Sequence, residues 1–279
     1  MSLISVRDVW KEYDDTIVLE RINIEIDPRA FVALVGPSGC GKTTFLKMLL
    51  SEEQPSRGSI LLDGAPISPE PTSERGVVFQ RYSVFPHLTV LQNVLVARDL
   101  QAGDFAGRLF GRQLGAARAR AREEARALVA AVGLAHAENR YPAQLSGGMQ
   151  QRLALAQALM GNPKVLLLDE PFGALDPGIR ADIHVLVRRL WNERALTVVM
   201  VTHDLSEAFR LATRVIAFER VRDEPSDAGR YGATITKDFD VWPKRVPTPL
   251  VDAAFPVRDD PGAVHAARRD DPAQTEVAP

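Results

Sequence analysis

Residues 31–50 read FVALVGPSGCGKTTFLKMLL, and this stretch decides the fold. Its first five residues, Phe31 to Val35, form an apolar, β-prone run of the length of one buried strand. Gly36-Pro37-Ser38-Gly39-Cys40-Gly41-Lys42-Thr43-Thr44 follows, and Phe45 to Leu50 then returns to helical character. A strand that turns through glycines into a helix makes an anion cradle. Backbone N–H groups wrap a phosphate, the helix N-terminus adds positive dipole, Lys42 reaches the β and γ phosphates, and Thr43 can hold Mg²⁺. All nine residues from Gly36 to Thr44 are therefore candidate nucleotide-binding residues.

Working outward, apolar runs of strand length recur at Gly76 to Phe79, Val165 to Leu168, Val198 to Val201 and Arg214 to Phe218, between longer segments of helical period. This alternation predicts an α/β fold with a largely parallel, doubly covered sheet. Leu3 to Ile26 alternates apolar and polar residues instead, which suits an antiparallel subsheet with one wet face. Met1 to Trp10 reads as an edge strand. It carries Arg7 and Asp8 with no apolar stretch behind them, so it is expected to be neither a secretory signal nor an anchor. Around Arg118 to Val132 the arginines are interrupted by Glu123 and Glu124, which indicates a solvated helix face rather than a nucleic-acid or lipid patch. From about Val221 the texture changes. After about Val251 Asp, Pro, Ala and Arg dominate, as in a disordered tail.

Bulk composition narrows the partners. With 46% hydrophobic and 25% charged residues the chain can bury a full core, and a net charge of −2 does not steer it toward nucleic acid. The single cysteine, Cys40, can form no internal disulfide, which agrees with a reducing compartment. No apolar run approaches the roughly 20 residues of a membrane helix, so any transport path must come from another chain.

A second motif separates this chain from other phosphate-binding proteins. In Leu145-Ser146-Gly147-Gly148-Met149-Gln150-Gln151-Arg152, Ser146 is placed to cap the helical run Gln150 to Met160, and Gly147 and Gly148 leave backbone N–H groups bare for a second anion. Here the sequence resembles the ABC ATPase family, whose LSGGQ signature appears with Met149 in place of the usual glutamine. Downstream, Lys164 to Glu170 reads as a buried strand that delivers two carboxylates at its C-terminal edge. Asp169 suits the Mg²⁺ shell, and Glu170 suits polarisation of an attacking water.

The resemblance runs from about Ser5 to Val221 and implies roles for further residues. Gln80 resembles the glutamine that senses Mg²⁺ and the water. Asp176, in Ala174-Leu175-Asp176, resembles the loop that crosses a dimer interface. His203 resembles the switch histidine that contacts the γ-phosphate, and Tyr13 the aromatic that stacks on adenine. Arg81 to Val90, with Tyr82, Phe85 and Leu88, lies where the family meets its permease, so it is expected to form a docking surface. Two departures stand out. Arg29-Ala30 replaces the usual Gly-Glu, and the residues after Phe218 are too few for the barrel-like regulatory domain of sugar-importer subunits.

The expectation is a P-loop ATPase core with a mostly parallel sheet, an N-terminal antiparallel β-subdomain and a helical signature subdomain at about 85–160. The ATPase domain would span 1–221, with 222–279 as a C-terminal extension. The resemblance implies a dimer, of identical or closely paralogous subunits, around two Mg²⁺-ATP. It would sit peripherally at the cytoplasmic face of the inner membrane, drive a separate permease and act indirectly with a solute-binding protein. The CGKTT, LSGGMQQR and Pro171 to Asp176 segments look most like the nitrate, sulfonate, taurine and bicarbonate importer branch. An exporter or lipid-handling ATPase is the nearer alternative. A nucleic-acid ATPase of the same family would require a long coiled-coil insertion or a second cassette, and neither is present in these 279 residues.

Overall fold

Five strands are buried at nearly every position because both faces of their sheet are covered. These are β3 (Phe31–Val35), β6 (Arg75–Val78), β7 (Val165–Asp169), β8 (Thr197–Val201) and β9 (Arg214–Glu219), which pair in parallel in the order β9-β3-β8-β7-β6. The computed structural model describes residues 2–80, 84–101, 116–222 and 229–241. All of these belong to one compact unit, Met1–Arg245, and the second unit, Val246–Pro279, lies outside them, as does the tail expected after Val251.

The strand period of two sends alternate residues into two separate cores. Phe31, Ala33, Val35, Leu166, Leu168, Val198 and Met200 join the core beneath the helical region. Val32, Leu34, Val165, Leu167, Val199 and Val201 join the other, which holds α1 (Lys42–Leu50) and the N-terminal sheet. That second sheet is antiparallel, with the order β2-β1-β4-β5, where β1 is Ile4–Tyr13, β2 Thr16–Ile26, β4 Arg57–Leu62 and β5 Ala65–Pro66. Strand β1 pairs with both β2 and β4, so it lies inside the sheet and is not the expected edge. A bulge interrupts its pairing with β2 between Val6 and Val9, where Asp8 adopts φ 45, while Arg7 stays opposite Ser59 of β4.

The helical region comprises α2 (Val90–Gln101), α3 (Ala116–Ala131) and α4 (Gly147–Leu159). On α3, Ala121, Ala125, Leu128 and Val129 are buried at helical spacing, while Arg118, Arg120, Arg122 and Arg126 face water, as a solvated helix face requires. Two further α-helices among the described residues are α5 (Pro177–Glu193) and α6 (Leu205–Leu211). The Arg29-Ala30 departure is absorbed by the backbone. Arg29 takes φ 64, its N–H donates to Thr197 Oγ1 at 2.9 Å, and its carbonyl accepts from Trp191 Nε1 at 3.1 Å.

The boundary expected at Val221 falls inside the fold. Strand β10 (Thr234–Asp240) pairs antiparallel with β9 and completes a six-stranded sheet. Arg214 on β9 donates through Nε and Nη2 to the two carboxylate oxygens of Asp238 at 2.7 and 2.6 Å. Just before β10, Ala233 exchanges backbone bonds with β2, donating to Val18 O at 2.9 Å and accepting from Glu20 N at 3.0 Å. A largely exposed, polar strand carries no run of apolar residues, which is why TITKDFD did not read as part of the sheet. A chain ended at Arg222 should therefore melt on the order of 5 °C or more below the full chain, which calorimetry will show.

Candidate functional site

The site is built on strand ends. Strand β3 stops at Val35, and Gly36 turns the chain at φ 148 so close to β9 that a Cβ there would collide with the Phe218 carbonyl oxygen. Helix α1 then begins at Lys42 behind Gly41, which supplies no side-chain cap, so its first-turn N–H groups stay available to the loop. Lys42 is only 5% exposed. Its ammonium crosses the loop and donates to the carbonyls of Gly36 and Pro37, both at 2.8 Å, with Cys40 Sγ at 3.6 Å.

Thr43 Oγ1 donates to Asp169 Oδ1 at 3.1 Å and so joins the start of α1 to the end of β7. Burial pushes the Asp169 carboxyl above its ordinary pKa range. The Thr43 hydrogen bond opposes the shift, and the Glu170 charge adds to it. Glu170 sits at φ 44, a left-handed conformation that costs a residue with a side chain of order 1–3 kcal/mol. Its N–H donates to Val201 O at 3.0 Å, which fixes the turn against β8. Two side chains then converge on Glu170 Oε2: Gln80 Nε2 at 3.5 Å from the end of β6, and His203 Nδ1 at 3.3 Å from the end of β8. Thr43, Gln80, Asp169, Glu170 and His203 thus form one cluster above the cradle. Hydroxyl, amide and carboxylate oxygens from Thr43, Gln80 and Asp169 are the hard donors that suit Mg²⁺.

Other expected residues lie apart from this cluster. Tyr13 does not precede the alternating strands; it is the last residue of β1, opposite Thr16. It is 40% exposed, and its hydroxyl donates to Glu53, which Lys11 also holds at 2.9 Å. Burial and then the Glu53 carboxylate push the Tyr13 pKa up to about 12, while the Thr44 hydroxyl acts the other way. Ser146 caps α4 by accepting from Met149 N at 3.3 Å, and the helix begins at Gly147, earlier than the run Gln150 to Met160 suggests. Ser146, Gly147 and Asp176 are exposed, whereas Gly148 is buried, where a Cβ would collide with Ile179. Asp176 stands at the N-cap of α5 without a side-chain cap bond.

Several contributors were missed. Buried Asn93 grips the loop after Gln80, accepting from Phe85 N at 2.7 Å and donating to Phe85 O and Leu88 O at 3.1 and 2.9 Å. Phe85 and Leu88 are half-buried there, and Arg81 and Tyr82 lie outside the described residues. Glu53 carried no signal, because its contact with Tyr13 spans 40 residues of sequence. Glu207 did carry one: Asp204-Leu205-Ser206-Glu207 has capping-box spacing, and Asp204 accepts from the N–H groups of Ser206 and Glu207.

A mononucleotide cradle, two adjacent carboxylates and a second capped glycine turn on an α/β sheet define a nucleotide-binding cassette. Residues 19–173 match the family model for the ABC transporter, and the chain belongs to that family. It is 42% identical over 223 residues to the sulfate/thiosulfate import ATP-binding protein CysA of Gloeobacter violaceus, covering 79% of this chain and 61% of that protein. To the spermidine/putrescine import ATP-binding protein PotA of Oleidesulfovibrio alaskensis it is 40% identical over 228 residues, covering 80% and 57%. The chain thus spans about three fifths of the length of these relatives. Among solved structures, the dimeric post-hydrolysis ATP-binding cassette MJ0796 with ADP and Pi superposes with a TM-score of 0.65 at 28% identity, covering 85% of this chain and 98% of that one. The cbiO1 protein of Clostridium perfringens, at 24% identity, shares the fold with a TM-score of 0.71, covering 86% and 88%. These relatives are named for sulfate and polyamine import and not for the nitrate, sulfonate and taurine branch expected from the motifs. Motifs that touch nucleotide say little about cargo.

The buried Asp169 yields a prediction whose sign follows from its raised pKa. An acid that holds its proton more tightly in the fold favours the folded state at low pH and loses that contribution as pH rises through the folded pKa. At pH 7 the charged carboxylate is therefore a net cost. Asp169→Asn should raise the melting temperature at pH 7, and the gain should vanish below the ordinary carboxylate range, as thermal melts across pH will show.

Proposed function

We propose that this chain is the ATP-hydrolysing subunit of an ABC importer, acting as one half of a nucleotide-bridged dimer on the cytoplasmic face of a separate permease. The observation that carries this reading is the convergence of Gln80 and His203 on Glu170 beside the phosphate cradle. The curated relatives' names support import of a small solute, of the sulfate or polyamine type in those proteins. Among the described residues no helix is long and apolar enough to cross a membrane, which agrees with a permease formed by other chains.

In this reading Lys42 exchanges its carbonyl partners for the β and γ phosphate oxygens, and the α1 N-terminus supplies its dipole to the same charge. Mg²⁺ would be held by Thr43, Gln80 and Asp169, where it neutralises charge on the phosphates. Glu170 orients the attacking water and accepts its proton, while His203, beside it, donates toward the γ-phosphate. Tyr13 offers a ring for adenine. Ser146, Gly147 and Gly148 of a second subunit close the site over the γ-phosphate, and Asp176 lies beside them at the same junction. The exposure of Ser146, Gly147 and Asp176 is what such a junction needs. The loop around Phe85, held by Asn93, is the surface assigned to the permease.

Lys42→Ala should abolish turnover, because the phosphate charge loses its main compensating cation. Glu170→Gln should cut turnover on the order of a hundredfold or more while ATP still binds. Size-exclusion chromatography of Glu170→Gln should then show a dimer with ATP and a monomer without it. Adding Ser146→Arg should abolish the dimer but not nucleotide binding. A double variant that dimerises as well as Glu170→Gln alone would rule out the signature segment as the second jaw.

A further inference from the structure

His203 itself is exposed, with a side chain 62% accessible, yet its backbone is held from both sides by one helix. On one side is Thr202, 2% exposed, whose hydroxyl donates to Glu207 Oε2 at 2.7 Å. Glu207 Oε1 in turn meets His184 Nε2 of α5 at 3.2 Å, and both residues are only 6% exposed. On the other side is Asp204, whose Oδ2 faces Arg180 Nη1, one turn earlier on α5, at 3.7 Å. The Asp204 N–H closes the loop by donating to Thr202 Oγ1 at 3.1 Å, and the Thr202 N–H donates to Leu34 O at the end of β3 at 3.1 Å.

The same two side chains also reach the loop behind Glu170. Arg180 Nη2 donates to Leu175 O at 3.2 Å, and the His184 ring lies edge-on to fully buried Phe172 with centroids 4.7 Å apart. His184 Nδ1 is buried with no partner among the described residues, so the bond to Glu207 is the one that orients the imidazole. Burying a carboxylate and an imidazole is costly unless both are well paired, and apolar residues of similar size would cost less. Fold stability alone is a weak reason to keep them.

We propose that Arg180 and His184, through Glu207 and Thr202, are positioning residues that set the distance between His203 and Glu170. They make the Thr202 to Asp204 loop follow α5. Because buried Gly148 packs against Ile179 of the same helix, a displacement of the signature turn is passed to α5 and reaches His203. The signature segment facing one nucleotide would thereby adjust the switch histidine at the other. This rests on the hydrolytic reading above.

The test uses the full chain with Thr202→Val, His184→Leu and His184→Gln, measuring ATP turnover, nucleotide affinity, melting temperature and hydrogen exchange at the Asp204 amide. Thr202→Val and His184→Leu should lower kcat on the order of tenfold to a hundredfold, the range that small misplacements of reacting groups produce, with KM for ATP and affinity unchanged. His184→Gln, whose amide can still donate to Glu207, should recover most of kcat, and Asp204 exchange should be faster in the first two variants only. Lower melting temperatures with wild-type turnover per folded molecule would show a purely structural role and overturn the proposal, as would unchanged Asp204 exchange. A wild-type chain that binds ATP and never hydrolyses it would sink the functional reading instead, leaving the exchange measurement to decide the positioning claim.

Discussion

Five parallel strands covered on both faces leave one place for chemistry, the row of their C-terminal ends. The apolar residues of β3, β7 and β8 bury their side chains in one of two cores and pair their backbones sideways, so charged groups are excluded until the strand ends. Asp169, Glu170, Gln80 and His203 stand where that exclusion ends, and the cradle at Gly36 opens from the neighbouring end of β3. The spacing of parallel strands brings these groups within reach of one another, and the loops beyond the strand ends set the remaining distances.

Holding the groups there has costs that the rest of the fold offsets. Glu170 is in a left-handed conformation, and Asp169 is a carboxylate pushed toward its neutral form by burial. Asp169 is held by the Thr43 hydroxyl, and Glu170 has its carboxylate turned toward Gln80 and His203. Residues selected for stability would take neither posture.

The cradle was legible in the sequence because its chemistry is contiguous. Strand, glycine turn, lysine and helix follow one another within 31–50, and the structure keeps that order. The signature turn was legible for the same reason. Less legible were contacts made between distant segments: Glu53 on Tyr13, His184 on Glu207, and Gly36 against Phe218. Periodicity also misled where geometry is irregular. Met1 to Trp10, with Arg7 and Asp8, read as an edge strand, whereas it is an interior one whose pairing with β2 is broken by a bulge at these charges. In β10, exposure of most of its residues erased the apolar signal altogether.

Strand β10 also decides what the sheet exposes at its margin. The outer margin of β9 reads RVIAFE, whose backbone would offer unpaired N–H and C=O groups beside apolar side chains to any similar strand. Covering it moves the sheet margin to β10, where Lys237, Asp238 and Asp240 stand exposed. Charge at a free strand edge repels lateral addition of further strands. A segment expected only as part of a C-terminal extension thus replaces an apolar sheet margin with a charged one.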